Sequence, residues 1–166
     1  MNLVKIGGMM MVGLMAVSAM AADVTGTWNG KMSMDFSEAR KQLAKAPAAE
    51  KKQAESQMAM AEGMFKSMVF KLELKAGGVA SMTAPGGPMG GKPKTETGKW
   101  SLSGNKLMVS GLSKNDKGPK EMTGMLSANG KTLTFDMTAI AKKEAAKNPS
   151  AKNAKIPPMI LTFTKG

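Results

Sequence analysis

Val24-Thr25-Gly26-Thr27-Trp28-Asn29-Gly30-Lys31-Met32-Ser33-Met34-Asp35-Phe36 is the stretch on which the fold turns. Trp28, Gly30, Met32, Met34 and Phe36 share one parity, while Thr27, Asn29, Lys31, Ser33 and Asp35 share the other. Successive side chains of a strand point to opposite faces, so this alternation predicts a strand with one buried and one wet side. An isolated strand of this kind has nothing to bury its apolar face against. The rest of the chain must supply neighbours.

Upstream, an apolar run from Ile6 to Ala19 follows Lys5 and closes with Ala19-Met20-Ala21, the small-x-small pattern that a signal peptidase accepts. Residues 1–21 are therefore expected to be a signal peptide, with a mature domain over 22–166 that starts at Ala22. Export to a periplasm or the extracellular medium follows. No later segment is apolar enough to cross a bilayer as a helix. The chain has no cysteine, so neither a disulfide framework nor a lipidated cysteine is available, and the fold must rest on packing.

Downstream, period-2 patterns recur. Phe70, Leu72 and Leu74 alternate with Lys71, Glu73 and Lys75, and Gly77-Gly78 then suits a tight turn into a strand near Val79 to Thr83. Gly98, Trp100 and Leu102 share a face; Gly104-Asn105 turns the chain into Lys106 to Leu112. Asn115 to Pro119 reads as a loop by its turn chemistry. Met122, Gly124 and Leu126 alternate through Lys120 to Ser127, Asn129-Gly130 is a strong hairpin signal, and Leu133, Phe135 and Met137 follow. Met159 to Lys165, with Leu161 and Phe163, makes the eighth strand. Eight meandering strands can close into an antiparallel up-and-down barrel, which removes exposed edges.

Two insertions interrupt the meander. Over 37–67, Asp35 and Glu38 have capping-box spacing, Ala39 and Leu43 mark a short stripe that Pro47 ends, and Ala54, Met58, Ala61, Phe65 and Met68 recur at helical spacing. A helical pair is expected between strands one and two. Over 139–158, a short helix of alanine and lysine leads into an Asn-Pro-Ser-Ala-Lys stretch, read as a solvated connection.

The strand order, the opening Val24-Thr25-Gly26-Thr27-Trp28 and the closing Leu161-Thr162-Phe163 resemble the lipocalin-like (calycin) barrels, small bacterial secreted members included. The resemblance implies that Gly26 and Trp28 close one end of the barrel, and that the helical pair is similar to the lid of the fatty-acid-binding branch. Typical members pack an arginine over that tryptophan from the last strand; here Lys165 is the only cation near Phe163. The family's threonine-aspartate-tyrosine turn and disulfides are missing, and Arg40, the only arginine, does not reproduce paired interior arginines. Thr97-Gly98-Lys99-Trp100 echoes Thr25 to Trp28, and Trp100 is read as a second core plug.

Composition narrows the chemistry. The chain carries 24 Lys plus Arg against 12 Asp plus Glu, a net charge of +12, of which only Lys5 leaves with the leader. Anionic surroundings are favoured, but one arginine and no tyrosine leave little for forked phosphate recognition or base stacking, so no specific nucleic acid is expected. With no histidine, cysteine or tyrosine, the usual triads, zinc sites and phenolic acids are excluded, and no enzyme activity is expected. Pro85-Gly86-Gly87-Pro88-Met89-Gly90-Gly91 lacks the ending of a phosphate loop and reads as a connection near a barrel mouth.

Methionine is abundant, 19 residues in all. Met60, Met64 and Met68 at i, i+4 and i+8 could align thioethers as soft metal ligands. Six of the 19 lie in the discarded leader, however, so the chain uses methionine as a general hydrophobe, and no metal or other cofactor is expected. The same stripe is expected to pack on the barrel as an adaptable lid.

Two functions remain open. In one, a monomeric carrier admits a small apolar or amphipathic ligand into an interior lined by Met32, Met34, Phe70, Leu72, Leu102, Phe135 and Leu161, beneath a lid of Met58, Met64, Phe65 and Met68. In the other, the interior is packed solid and a lysine-rich rim holds anionic envelope polymers or a partner.

Overall fold

A computed structural model describes residues 23–86, 91–112, 121–147 and 155–166. The expected signal peptide, the Asn115 to Pro119 loop and the whole Asn-Pro-Ser-Ala-Lys stretch lie outside the described residues. Strands β1 (Gly26–Met34), β2 (Val69–Lys75), β3 (Val79–Gly86), β4 (Gly91–Ser103), β5 (Lys106–Ser110), β6 (Glu121–Leu126), β7 (Thr132–Asp136) and β8 (Met159–Lys165) form a closed barrel in chain order. Every neighbouring pair is antiparallel, and β8 returns to β1 with Trp28 level with Lys165 and Met34 level with Met159. Closure pairs the first and last strands and leaves neither as an edge.

Helices α1 (Ser37–Leu43) and α2 (Ala48–Ser67) lie between β1 and β2, and α3 (Thr138–Ala146) precedes β8. Boundaries differ from the sequence reading in places. Strand β1 stops at Met34, so Phe36 leaves the inward series and begins the turn into α1. Strand β4 starts at Gly91 and β3 runs to Gly86, so the ends of the glycine-rich connection are paired backbone, Gly86 opposite Gly91. The local hydrogen bonds of two adjacent chains outweigh the weak intrinsic strand preference of glycine there.

Two different ends result. At the closed end, the turns after β2, β4 and β6 gather with both termini of the barrel strands. Gly77 and Gly78 both take positive φ, +80° and +76°, which a side chain would resist, and the Trp100 N–H donates to the Gly78 carbonyl at 2.7 Å. Leu126 N–H donates to Asn105, Lys165 N–H to Lys131 and Gly166 N–H to Thr27, tying turn to turn. The other end carries the helices.

Strand-to-helix transitions at this helical end share one device. Asp35 accepts the Ser37 N–H at 2.8 Å and Asp136 accepts the Thr138 N–H at 2.9 Å, each carboxylate satisfying a backbone donor at the start of a helix. Bonds from the N–H and hydroxyl of Ser37 hold the Asp35 carboxyl below the ordinary aspartate range, and those from the hydroxyl and N–H of Thr138 do the same for Asp136. Neither half of the predicted capping box forms: Asp35 lies before the N-cap Phe36 and bonds the N–H two residues on, and Glu38 takes the Lys41 ammonium at 2.7 Å.

The core sits inside the ring. Trp28, Leu72, Leu74, Leu107, Val109, Leu133, Phe135, Leu161 and Phe163 are completely or almost completely buried. Large rings face glycines. Gly30 lies between Phe70 and Phe163 in the register, and Gly124 between Leu107 and Phe135. A Cβ at Gly30 would meet the Phe163 ring at 2.4 Å, and one at Gly124 would meet Phe135 at 2.7 Å. The two rings touch edge to face, 5.8 Å between centroids, so they fill the middle of the barrel together.

Candidate functional site

The closed end is sealed by Trp28. Its indole is fully buried and donates to the Val24 carbonyl at 2.9 Å, which satisfies the only polar atom the side chain carries. The Lys165 ammonium stands 5.9 Å from the indole centroid and also donates to the Asp23 carbonyl. A cation from the last strand thus covers the tryptophan. Gly26 precedes it with φ +122°, where a side chain would be strained. Trp100 is half-buried against the core and donates its indole N–H to the Lys75 carbonyl at 2.9 Å, pinning the β2–β3 turn to β4.

The seven interior residues expected to line a ligand divide into two groups. Phe70, Leu72, Phe135 and Leu161 are buried core. Met34 is half-buried, as are Met32 and Leu102, which pack against that core. Met68, Met82 and Met137 join Met32 in that half-buried shell beside Trp100, so thioethers are numerous at the core's margin.

Helix α2 packs along β1 with Met58 buried and Ala54, Ala61, Phe65 and Met68 half-buried. Met60 and Met64 depart from the expected lid. Met60 is 66% and Met64 36% exposed, because at 3.6 residues per turn they fall beside the stripe set by Met58, Ala61 and Phe65. The three-methionine row is therefore not a packed face. Arg40 of α1 pairs with Glu62 of α2 at 2.5 Å and holds the two helices as a unit.

A cleft of about 830 Å³ opens at the helical end. Phe36, Ala39 and Leu43 form one wall; Ala54, Met58 and Ala61 of α2 form the second; Ile156, Pro157 and Pro158 form the third. Its polar border includes Asp35, Glu38, Thr138, Lys142 and Lys155. Backbone bonds fix the walls to the barrel: Asp35 N–H donates to Pro158 at 2.9 Å and Met137 N–H to Met159 at 2.8 Å, while Met159 N–H donates to the Thr138 hydroxyl at 2.9 Å.

Of all the residues singled out from sequence as ligand or lid positions, Met58 alone lines this cleft. Ala39, Leu43, Ala54 and Ala61 were visible as helical stripes without a stated partner. Strand parity predicts Phe36 on the inward side, and the sequence reads Ile156 to Pro158 as part of a solvated connection; the structure brings both to the cleft. Proline and isoleucine in a polar stretch carry no periodic signal, so nothing in the sequence placed them opposite α1.

Among the described residues, no three acidic side chains gather as a metal site would require. Glu73 is held below the ordinary glutamate range by its hydrogen bond from Lys71, and Asp23 below the aspartate range by hydrogen bonds from Thr25. Asp23 is exposed and Glu73 half-buried on the outer face of β2. Compared with protein-family models, with curated proteins and with solved structures, the chain has no significant match.

Proposed function

We propose that the protein is an exported, non-enzymatic binding protein that holds a small apolar or amphipathic ligand at the helical end of its barrel, in the cleft bordered by α1, α2 and the segment before β8. The observation that carries this reading is the cleft itself. Its volume falls within the usual ligand-pocket range of roughly 300–1,000 Å³, and its walls are alanine, leucine, methionine, phenylalanine and proline with polar groups at the border. The barrel middle, filled by Phe135 and Phe163 against two glycines, offers a ligand less room.

The lipocalin-like reading belongs with this proposal. In its support stand the closed eight-strand meander, the helical pair after β1, and a Gly26-x-Trp28 whose buried tryptophan is covered by a last-strand cation. Lysine there would take the place of the usual arginine, giving the positive charge over the ring without the planar fork. The absence of histidine, cysteine and tyrosine supports binding over catalysis.

Displacement of a fluorescent fatty acid or naphthalene dye tests it. Micromolar uptake insensitive to salt is expected, and Ala61→Trp, which fills the cleft from α2, should weaken it by about tenfold while the melting temperature stays near that of the parent. Equal uptake by the variant would place the ligand elsewhere. No uptake, together with salt-sensitive adhesion to anionic envelope polymers, would favour the second reading, a packed interaction module, to which the ring-on-glycine contacts also lend support.

A further inference from the structure

The charged groups around the cleft differ in what they have left to bind. Asp35 accepts the Ser37 N–H at 2.8 Å and Glu38 the Lys41 ammonium at 2.7 Å, so both bordering acids are engaged by residues of α1. Thr138 is occupied as well: its hydroxyl accepts the Met159 N–H at 2.9 Å and its N–H donates to Asp136 at 2.9 Å. The connection between β7 and β8 contributes two cations to the same border, Lys142 of α3 and Lys155. Both are exposed, and among the described residues neither ammonium forms an ion pair. Asp136 feels the charge of Lys142 without pairing with it, its carboxylate being taken by Thr138.

The uncommitted charge at the cleft is therefore positive, and it stands at the border of apolar walls. Met58 is buried, and Phe36, Leu43 and Ile156 are half-buried around the same space. An apolar tail would find surface to cover there, and a negative head would find two ammonium groups with no other partner.

We infer that the cleft selects amphiphiles with an anionic headgroup, a carboxylate or a phosphate, met by Lys142 and Lys155 while the tail lies against Phe36, Leu43, Met58 and Ile156. The inference rests on the cleft being the ligand site. Lysine is a compact point charge, so the pair suits either anion without the planar fork of arginine. Exposed charges of this kind decide between headgroups more than they add affinity, so the apolar walls carry uptake and the lysines carry the choice. A cationic head would meet two like charges, and the acids that would balance it are already engaged.

Displacement of a neutral naphthylamine dye by amphiphiles of equal tail, each below its micelle concentration, tests the inference. Decanoate and decyl phosphate should bind about tenfold tighter than decanol, while decyltrimethylammonium and decylphosphocholine should bind no tighter than decanol. Either order between the two anions supports the inference and identifies the headgroup. Lys142→Gln/Lys155→Gln should bring anions and decanol within about twofold of each other and leave decanol unchanged, whereas Lys99→Gln/Lys106→Gln, of equal net charge on β4 and β5, should keep the preference. Decanol binding as tightly as the anions, tighter binding of the cationic or zwitterionic probe, or a preference that survives in the Lys142/Lys155 variant would each overturn the inference; the cleft reading would stand if Ala61→Trp still weakened every probe. Absence of binding by all the probes, or binding that Ala61→Trp leaves intact, would remove the cleft reading and the inference with it.

Discussion

Gly30→Ala asks whether the barrel is full. The added Cβ would stand 2.4, 2.6 and 2.9 Å from three carbons of the Phe163 ring. Carbon atoms in contact sit at about 3.5–4.0 Å, so the ring must withdraw by about 1 Å or more. It has no free direction in which to do so, because Phe163 is fully buried and stands edge-on against Phe135, which in turn covers Gly124. Overpacking of this kind costs about 1–3 kcal/mol, and relief of glycine's conformational entropy returns about 0.5–1 kcal/mol. The net expectation is a loss of about 1–2 kcal/mol, or a fall in melting temperature of about 3–8 °C for a domain of this size. Phe163→Leu added to Gly30→Ala should recover part of the loss, with a favourable coupling of about 1 kcal/mol in a denaturant double-mutant cycle. If Gly30→Ala melts at or above the parent temperature, the ring has space to swing into. The interior would then be open, and the ligand should be sought inside the barrel.

Acid should loosen the helical end first. Asp35 and Asp136 have folded pKa values below their unfolded ones, so their contribution is fully present above the ordinary aspartate range near pH ~4 and is lost as pH falls through the lowered folded values. Far-ultraviolet circular dichroism should therefore report helix loss below about pH 4, with a melting temperature nearly flat from about pH 5 to 9 because the chain has no histidine or cysteine; a transition near pH 6–7 would contradict this. Lys165→Met keeps the side-chain stem over Trp28 and removes the charge, so it should cost about 0.5–1 kcal/mol in urea denaturation, while Lys165→Arg should be near neutral. Loss of stability by the arginine variant equal to that of methionine would show that the charge over the indole contributes nothing. Arg40→Gln breaks an ion pair that is partly exposed on both sides, so the global stability should change by less than about 1 kcal/mol. Proteolysis between α1 and α2 should nevertheless accelerate; an unchanged cleavage rate would show that the pair does not hold the helices together.

Local pattern was enough for the strands. Trp28 through Met34, Phe70 through Leu74 and Leu133 through Phe135 alternate so regularly that only one face of each can be buried, and a one-residue slip would expose every large side chain. Short turns such as Gly77-Gly78 and Asn129-Gly130 then force sequential pairing, and eight sequential strands close. Helical spacing likewise marked the face of α2 that carries Met58, Ala61 and Phe65.

Which surfaces those faces meet was decided by tertiary structure alone. Alternation tells that Phe135, Phe163, Gly30 and Gly124 point inward, but not that each ring lies over a glycine of the adjoining strand; that depends on register summed around the closed ring. Phe36 leaves the barrel because Asp35 turns the chain into α1 through a bond from the Ser37 N–H, a choice between two local hydrogen-bonding patterns that Asp-Phe-Ser supports equally well on paper. Ile156, Pro157 and Pro158 become a wall of the cleft because β8 pairs with β1 and draws the preceding segment against α1, about 120 residues earlier in the chain. Periodicity is a property of neighbours in sequence, whereas a cavity is a property of neighbours in space. The barrel could therefore be read from the residues, and the cleft could not.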